Sequence, residues 1–381
     1  MSIRGAANPS IYLYGPGKAK IVDHPTPTLD APEDAGRIIV RVAFVGVCGS
    51  DVHFWNHGGI NGKNVSESQP LIMGHEASGT VHAVGSAVQD LKVGDEVAIE
   101  PSDPCRSCPH CKRGAYHLCP HMKFGACPPD TPGCLTHFYK MPADFAYPLP
   151  PSISLREGAL TEPLAVGAHA VRGVNVRPGQ SVVVMGAGTV GVCAAVVARW
   201  FGATNVVCMD LQAGKLEGAR AVLGGADGFE TLMPRQGEAP MELAARIVRE
   251  CGLGEGADAV VEATGAESCV QTGVYVLRKG GQYIQTGLGK VMIQFPIVDV
   301  SEKELHFHGA FRYGPEDFAV ALDVLRSGRW EVAKLITKVW EFENTTEAWE
   351  ATKRGEGVKN MIRVGGKEEA GVGTNGVARS T

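Results

Sequence analysis

Four cysteines constrain this chain more than any other feature of its sequence. Cys105, Cys108, Cys111 and Cys119 fall in one loop, CRSCPHCKRGAYHLC, which is broken by Pro and Gly. This spacing lets four thiolates surround one zinc ion at about 2.3 Å. Because four protein ligands leave no position for a substrate, the loop predicts a closed, structural zinc site. Disulfides or unrelated buried thiols are the alternative, and regular C-x-x-C spacing in a chain that begins without a secretory signal disfavours them.

Composition narrows the class of protein. The 381 residues are 44% hydrophobic and carry a net charge of -5, which gives no reason to expect a nucleic acid or an acidic membrane as partner. No apolar run approaches the length needed to span a bilayer. The odd number of cysteines, 11, fits a reducing compartment. We therefore expect a cytoplasmic protein with two domains.

Two patterns divide the chain. Residues 11–151 contain short apolar runs, such as IIVRVAFVGV and TVHAVG, between Gly, Pro and Asp turns. In residues 155–287, apolar strands alternate with helix-length stretches, as in a doubly wound parallel sheet. After residue 300 the sequence predicts a strand in LHFHGAF, a helix in PEDFAVALDVLRSG and a last strand in NMIRVG. The prediction is an α/β chain in which a β-rich domain, residues 1–157 and 300–367, is interrupted by a parallel-sheet domain, residues 158–299. The tail, residues 368–381, is too poor in apolar residues to pack and is predicted to be disordered.

The glycines of VVVMGAGTVG predict a dinucleotide site. Gly186, Gly188 and Gly191 form G-x-G-x-x-G directly after a predicted strand and at the start of an apolar helix. In that context the first glycine permits a tight turn, the second lets the backbone approach a pyrophosphate, and the third lets helix and strand pack closely. Val190, inside the motif, is assigned to the same cofactor site.

Asp210 ends the next predicted strand, NVVCMD, about 20 residues after the glycines. A carboxylate there accepts hydrogen bonds from the adenosine ribose and repels a 2'-phosphate, which predicts NAD as the cofactor. Lys215, five residues later, could weaken the discrimination against NADP. The alternative is a glycine turn and a strand-end aspartate that bind no ligand.

A second, open metal site is suggested by Cys48 in VGVCGSDVHFW and by His75 and Glu76 in IMGHEASGTV. One thiolate, one imidazole and one carboxylate can hold zinc and keep a position for water or substrate. Each residue alone also fits an ordinary role, as a buried small side chain, a core histidine or a solvated charge. Glu162, in GALTEPLAVGAHA at the junction of the two patterns, is a further candidate ligand.

Motifs along nearly the whole chain resemble the zinc-dependent polyol dehydrogenases of the medium-chain dehydrogenase superfamily. They are, in order, CGSDVHFW, GHEASGTV, VGDEVAIEP, the four-cysteine loop, EPLAVGAHA, GAGTVG and FRYG. GPEDF and LCPHMKF are similar to the fungal sorbitol and xylitol dehydrogenases, the latter also called D-xylulose reductases, and arabinitol dehydrogenases are nearly as similar. The resemblance implies a GroES-like catalytic domain with an inserted Rossmann domain.

The resemblance also implies roles for single residues. Cys48, His75 and Glu76 would hold the catalytic zinc, and Glu162 would reach it directly or through water. Ser50 and His53 would relay the proton of the alcohol to solvent. From the side-chain chemistry, we expect His53 rather than Asp51 to be the titrating end, and Asp51 to orient a neighbour. Arg312 and Tyr313 would bind polyol hydroxyls, although a salt-bridged surface role for Arg312 remains open. Phe54 stands where several sorbitol dehydrogenases have tyrosine, and with Phe124 it is expected to shape the substrate cleft.

The expected reaction is transfer of a hydride between a polyol secondary alcohol, xylitol or sorbitol, and NAD, with zinc as the Lewis acid. An L-arabinitol 4-dehydrogenase and a zinc alcohol dehydrogenase for simple alcohols are the alternatives within enzymes. A nonenzymatic, zinc-stabilised binding protein is the alternative of another class. From the resemblance we also expect a homo-oligomer, a tetramer or dimer, with LHFHGAF near the subunit interface.

Overall fold

The computed structural model describes residues 7–60, 62–129 and 131–365, so the predicted tail lies outside the described residues. The strands are β1 (Pro9–Leu13), β2 (Ala19–Asp23), β3 (Arg37–Gly46), β4 (Gly59–Ile60), β5 (Lys63–Asn64), β6 (Leu71–Ile72), β7 (Glu76–Val84), β8 (Glu96–Ile99), β9 (Ser102–Asp103), β10 (Lys123–Phe124), β11 (Phe138–Pro142), β12 (Ala146–Pro148), β13 (Ser181–Met185), β14 (Asn205–Met209), β15 (Phe229–Leu232), β16 (Ala257–Glu262), β17 (Leu277–Gln285), β18 (His306–Gly309), β19 (Ile336–Glu341) and β20 (Lys359–Arg363).

Helices connect and cover these strands. They are α1 (Gly49–His57), α2 (Pro109–Lys112), α3 (Leu155–Gly158), α4 (Thr161–Gly173), α5 (Thr189–Trp200), α6 (Ala213–Leu223), α7 (Pro240–Glu250), α8 (Glu267–Val276), α9 (Ile297–Glu302), α10 (Asp317–Ser327) and α11 (Thr345–Lys353). In the part of the chain that the structure describes, none of them is long and apolar enough to cross a membrane.

The first unit is built on a seven-stranded sheet in the order β12-β8-β7-β3-β20-β19, with β11 also paired to β3. The strand β3 is rich in Val and Ile and is buried along most of its length, as expected for a strand in the middle of a sheet. The strand β20, from the end of the chain, pairs antiparallel with β3, and Met361 faces Gly46. Chain segments on both sides of the intervening unit therefore share one sheet, which confirms the predicted insertion.

The inserted unit is a six-stranded parallel sheet in the order β15-β14-β13-β16-β17-β18. In local numbering this order is 3-2-1-4-5-6, the arrangement of a Rossmann fold. Its central strands are apolar runs buried on both faces, as expected for a sheet covered by helices on both sides. The chain reverses the order of its strands between β13 and β16, so the crevice at the carboxyl end of β13 is the expected ligand site.

The predicted domain boundary at residue 300 does not coincide with the end of the parallel sheet. β18, which begins at His306, is hydrogen-bonded in parallel to β17 and forms the edge of the Rossmann sheet. The physical reason is continuity of the parallel ladder: Gln282 faces His306 and Gln285 faces Gly309. The strand predicted in LHFHGAF therefore exists, but it belongs to the nucleotide-binding sheet rather than to the β-rich unit.

Helix α4 links the two units. It packs on α5 of the Rossmann unit and on β7 of the β-rich unit, and α10 packs on α4 and α5. Gly167 permits the close approach of α4 and α5, since a Cβ there would lie 2.8 Å from the backbone nitrogen of Ala194. Most residues of α4 are buried, and Glu162 lies in its first turn. This helix therefore brings a carboxylate to the boundary between the units.

Candidate active site and metal centres

Strand pairing brings Cys48, His75 and Glu76 together. Gly46, the last residue of β3, faces Glu76, the first residue of β7. Cys48 follows two residues after Gly46 as the N-cap of α1, and His75 directly precedes Glu76. The ligand atoms of the three residues all lie within 4.8 Å of one another. Position 46 requires glycine because a Cβ there would collide with the Glu76 carboxylate.

Buried acidic groups surround this cluster. Burial, together with the neighbouring charge of Glu76, raises the pKa of the Cys48 thiol to about 12. The pKa of Glu162, which is only 5% exposed, is raised to about 8, mainly by burial and also by the nearby charges of Glu76 and Cys48. Several groups that ionise to anions thus share a space with little solvent to screen them. A divalent cation would stabilise their ionised forms together, so the donor set fits zinc.

Glu162 is not a member of the group of mutually close ligand atoms, which comprises Cys48, His75 and Glu76. Its carboxyl interacts electrostatically with His75, which favours the ionised form and opposes the effect of burial. Glu162 therefore lies beside the cluster, and its binding to the metal stays a prediction.

Lys359 is the residue of this cluster that sequence reasoning missed. It lies at the start of β20, is 2% exposed, and its Nζ lies 2.6 Å and 2.9 Å from the two carboxylate oxygens of Glu76. The same Nζ donates to the Val47 carbonyl at 3.0 Å. Its pKa is raised, because attraction to Glu76 and Cys48 outweighs the effect of burial. A fully buried lysine is unusual, and no local pattern in the sequence indicates that this one lies beside Glu76.

The predicted proton route starts at α1. Asp51 is buried and accepts hydrogen bonds from the backbone N–H groups of Cys48, at 2.9 Å, and Gly74, at 3.3 Å. It thereby ties the two ligand-bearing loops together, and its Oδ1 lies 3.8 Å from Nδ1 of His75. Ser50 is half-buried, and the ring of His53 is exposed to solvent, 4.7 Å from that of His57.

Arg312, Tyr313 and Phe124 form one wall beside the cluster. The guanidinium of Arg312 lies over the Phe124 ring, 3.6 Å from its centroid. Phe124 in turn contacts the rings of His75 and Tyr313, with centroid distances of 5.9 Å and 6.3 Å. A salt-bridged surface role for Arg312 does not fit these contacts. Phe54 lies in the hydrophobic core of the β-rich unit, so its contact with substrate stays a prediction.

Tyr313 leaves a buried hydroxyl without a partner among the described residues. The residue is 1% exposed, and its OH makes no hydrogen bond there. Burial, with the nearby carboxyl of Glu162, raises its pKa well above the ordinary value, so the hydroxyl stays protonated. An unsatisfied buried hydroxyl costs about 1–3 kcal/mol. A ligand hydroxyl at this wall would remove that cost.

The four cysteines converge as predicted. The sulfur atoms of Cys105, Cys108, Cys111 and Cys119 lie within 4.8 Å of one another, and all are free thiols. Sγ of Cys108 lies 3.5 Å from Sγ of Cys111. Four ligands at about 2.3 Å in a tetrahedron imply separations of about 3.8 Å, whereas a disulfide needs about 2.05 Å. Backbone N–H groups point at the sulfurs, as from Cys108 to Cys105 at 3.4 Å, which stabilises thiolates. This geometry fits zinc and excludes the disulfide alternative.

The glycine motif lies at the carboxyl end of β13, in the predicted crevice. Gly186 has a φ of 103°, and Gly188 caps α5. A Cβ at Gly191 would collide with the carbonyl oxygen of Gly186. Asp210 accepts hydrogen bonds from the backbone N–H groups of Ala187 and Gln212, both at 2.9 Å. The acidic residue therefore lies beside the motif, where the ribose of a dinucleotide is expected. Val190 is half-buried in the first turn of α5, and Lys215 is half-buried in the first turn of α6.

We expect about two zinc ions per chain by metal analysis. Cys105→Ser should lose one zinc and keep turnover at saturating substrate, because the four-cysteine loop has no open ligand position. Cys48→Ser should abolish turnover. The assignment of roles would be wrong if Cys48→Ser lost a zinc and stayed fully active.

Lys359→Met should destabilise the metal-free protein by about 3 kcal/mol, because it leaves the buried Glu76 carboxylate without its cation. With zinc bound the loss should be smaller, since the metal would balance the same charge. Urea unfolding with and without chelator measures both values. The exposed Lys334, paired with Glu331, offers the control Lys334→Met, which should cost less than about 1 kcal/mol. Equal losses with and without metal would contradict a cation at this cluster.

Two family models match the chain: the alcohol dehydrogenase GroES-like domain over residues 34–151 and the zinc-binding dehydrogenase over residues 189–327. D-xylulose reductase A of Aspergillus oryzae is 48% identical over 357 residues, covering 94% of this chain and 97% of that protein. A solved oxidoreductase of unknown specificity from Escherichia coli is 30% identical, covers 94% of this chain and 99% of its own, and has a TM-score of 0.85. A solved 2R,3R-butanediol dehydrogenase from Bacillus subtilis is 25% identical, with a TM-score of 0.81 and coverages of 93% and 99%.

These matches agree with the sites described above. The cluster of Cys48, His75 and Glu76 and the four-cysteine loop fit two zinc sites, and the glycine motif with Asp210 lies where a Rossmann fold binds a dinucleotide. Zinc and NAD are the cofactors of this chain. The chain belongs to the zinc-binding dehydrogenases of the medium-chain superfamily, with a GroES-like catalytic domain and a Rossmann domain.

Proposed function

We propose that this enzyme oxidises a secondary alcohol of a polyol with NAD, with xylitol and D-xylulose as its substrate pair. The observation that carries the proposal is the buried hydroxyl of Tyr313, in the wall beside the ligand cluster, which has no hydrogen-bond partner in the described part of the chain. A simple alcohol has one hydroxyl, which the metal would take. A polyol has further hydroxyls that could pair with Tyr313 and the adjacent guanidinium of Arg312. Similarity to D-xylulose reductases supports the five-carbon substrate.

Three residues would hold the catalytic zinc: Cys48 through its sulfur, His75 through its imidazole and Glu76 through its carboxylate. Glu162 would bind it directly or through a water molecule. Bound zinc acts as a Lewis acid that lowers the pKa of a coordinated alcohol toward neutrality. Lys359 would limit how strongly Glu76 donates to the metal, because it holds both oxygens of that carboxylate.

The proton of the alcohol would leave through Ser50 and His53. Ser50 is half-buried one turn before the exposed His53 on the same helix, so a short path leads from the cluster to solvent. Imidazole is suited to the outer end of this path because its ordinary pKa lies near neutral pH. Asp51, fixed by two backbone N–H groups, would orient His75. NAD, held by Gly186, Gly188, Val190, Gly191, Asp210 and Lys215, supplies the hydride acceptor.

The rival within enzymes, a dehydrogenase for simple alcohols, leaves Tyr313 without a partner. Sorbitol and L-arabinitol are the alternative polyols, because each also carries further hydroxyls that could pair with Tyr313 and Arg312. The nonenzymatic alternative does not account for a ligand cluster beside the glycine motif, where the Thr189 hydroxyl donates to the carbonyl of Val358, the residue before Lys359. We also place the protein in the cytoplasm, where its 11 cysteines, all free thiols, would stay reduced.

Steady-state assays of xylitol, sorbitol, L-arabinitol and ethanol with NAD test the proposal. We expect xylitol to give the highest kcat/KM, and ethanol the lowest, because only polyols can use Tyr313 and Arg312. Tyr313→Phe should raise KM for xylitol by about tenfold, which corresponds to one lost hydrogen bond of about 1.4 kcal/mol. Best turnover with ethanol would refute the polyol assignment.

The cofactor preference should depend on Asp210. We expect kcat/KM to be at least about tenfold higher with NAD than with NADP, since the carboxylate repels a 2'-phosphate. Asp210→Ser should narrow this ratio, while Lys215→Met, which removes the nearby cation, should widen it. Similar efficiencies with both cofactors in the wild-type enzyme would contradict the assignment.

Two copies of the chain would associate through the edge of the Rossmann sheet. β18 is the last strand of that sheet, so one side of its ladder has no partner strand within the described residues, and Phe307 on it is 38% exposed. The preceding segment also exposes the large apolar side chains of Ile297 and Val298. We expect sedimentation velocity to show a dimer or tetramer, and Phe307→Glu to shift it toward monomer. A wild-type monomer at micromolar concentration would contradict this.

A further inference from the structure

We propose that the four-cysteine loop, residues 105–119, positions Arg312 and Tyr313 for polyol binding, with Asp317 as the positioning residue that connects them. This inference rests on the proposed function, which gives Arg312 and Tyr313 their substrate. It assigns to the closed zinc site a part in substrate recognition in addition to local folding. We call residues 311–317 the substrate segment.

The substrate segment holds two non-glycine residues in the left-handed region. Arg312 has a φ of 58° and Glu316 a φ of 71°. Such conformations cost about 1–3 kcal/mol each and persist only where the surroundings fix them. Their occurrence four residues apart, beside the proposed substrate wall, means that the direction of the Arg312 and Tyr313 side chains depends on what restrains this segment.

Asp317 supplies the central restraint. It is 1% exposed, and its Oδ2 accepts a hydrogen bond from the backbone N–H of Gly314 at 2.7 Å. The same oxygen lies 2.9 Å from Nδ1 of His169, and Oδ1 accepts from Arg172 at 2.7 Å. Arg172 also donates to the carbonyl of Pro315 at 2.8 Å. The turn that directly follows Tyr313 is therefore fixed to α4, the helix that carries Glu162 in its first turn.

The cysteine loop contacts this turn through His117, which lies two residues before Cys119. A Cβ on Gly314 would lie 3.1 Å from Nδ1 of His117, so the ring and the turn are in close contact. The ring of His117 also packs edge-on against that of His169, with centroids 4.9 Å apart. His117 thus touches both the substrate segment and a partner of Asp317.

A second path runs through the buried carboxylate of Glu100. Tyr116, the neighbour of His117, donates to Glu100 at 2.7 Å, and Tyr147 donates to it at 3.0 Å. Tyr147 stacks on Phe318 with centroids 5.0 Å apart, and Phe318 packs edge-on against Tyr313 at the same distance. Adjacent residues of the cysteine loop, His117 and Tyr116, are therefore linked to the substrate segment at Gly314 and, through Phe318, at Tyr313.

Kinetics of His117→Ala, Asp317→Asn and Cys111→Ser test the coupling. We expect each to raise KM for xylitol by about five- to tenfold while kcat and KM for NAD change by less than about twofold. A general loss of structure would lower kcat and weaken NAD binding as well. Fluorescence titration with NADH and a thermal denaturation scan on each variant separate the two cases without relying on turnover.

The matched control is Asp258→Asn. Asp258 also accepts from a backbone N–H, that of Ser181 at 2.8 Å, and from an arginine, Arg278 at 2.7 Å, but it belongs to the Rossmann sheet. This variant should leave KM for xylitol unchanged. If Asp317→Asn fails to fold, His117→Ala decides the question, because it removes the contact and keeps the hydrogen bonds of Asp317.

The outcomes separate the two claims. A wild-type enzyme that oxidised no polyol would overturn the proposed function and this inference with it. A wild-type enzyme active on xylitol, with unchanged KM in His117→Ala and Cys111→Ser, would overturn only the inference. A rise in KM for NAD equal to that for xylitol would also overturn it, since it would indicate a structural defect.

Discussion

Unbalanced negative charge at the boundary of the two units is the constraint on which the rest of this structure depends. Cys48, Glu76 and Glu162 are buried together, and Lys359 is the cation that lies directly on Glu76. Charges without solvent or partners are costly, so such a cluster is stable in its ionised form only with further positive charge. A zinc ion would supply that charge, and one thiolate, one imidazole and one carboxylate form a donor set that suits it. The stability of the ionised cluster and the proposed chemistry of the site therefore both require a metal cation.

The fold places this cluster next to the glycine motif, since Thr189 of that motif donates to the carbonyl of Val358, which precedes Lys359. The pairing of β3 with β7 sets Cys48, His75 and Glu76 at one end of the seven-stranded sheet, and α4 carries Glu162 from the other unit. The strand order of the Rossmann sheet sets the glycine motif at the carboxyl end of β13. Because α4 packs on both units, a shift between them would move Glu162 relative to the ligand cluster.

Local features of the sequence were sufficient for much of the fold and of the site. The glycine motif, the four cysteines and the apolar strands depend on neighbours within a few residues, and the structure confirms them. Lys359 could not be found in this way, since it is 283 positions from Glu76 along the chain. Asp317 could not be found either, because its partners lie on α4, far from it along the chain. The strand β18 was predicted, but its pairing with β17 depends on which sheet edge is free in the folded chain. Long-range contacts of this kind are set by the packed chain and leave little trace in local patterns.

X-ray absorption at the zinc edge, on a Cys111→Ser variant that carries only the catalytic metal, tests the central claim most directly. The account predicts a single sulfur ligand at about 2.3 Å, with the remaining ligands nitrogen or oxygen at about 2.0–2.2 Å. The remaining metal must also be lost on further replacement of Cys48. A variant that bound no zinc, or bound it through sulfur ligands alone, would contradict a mixed-ligand metal site between the two units.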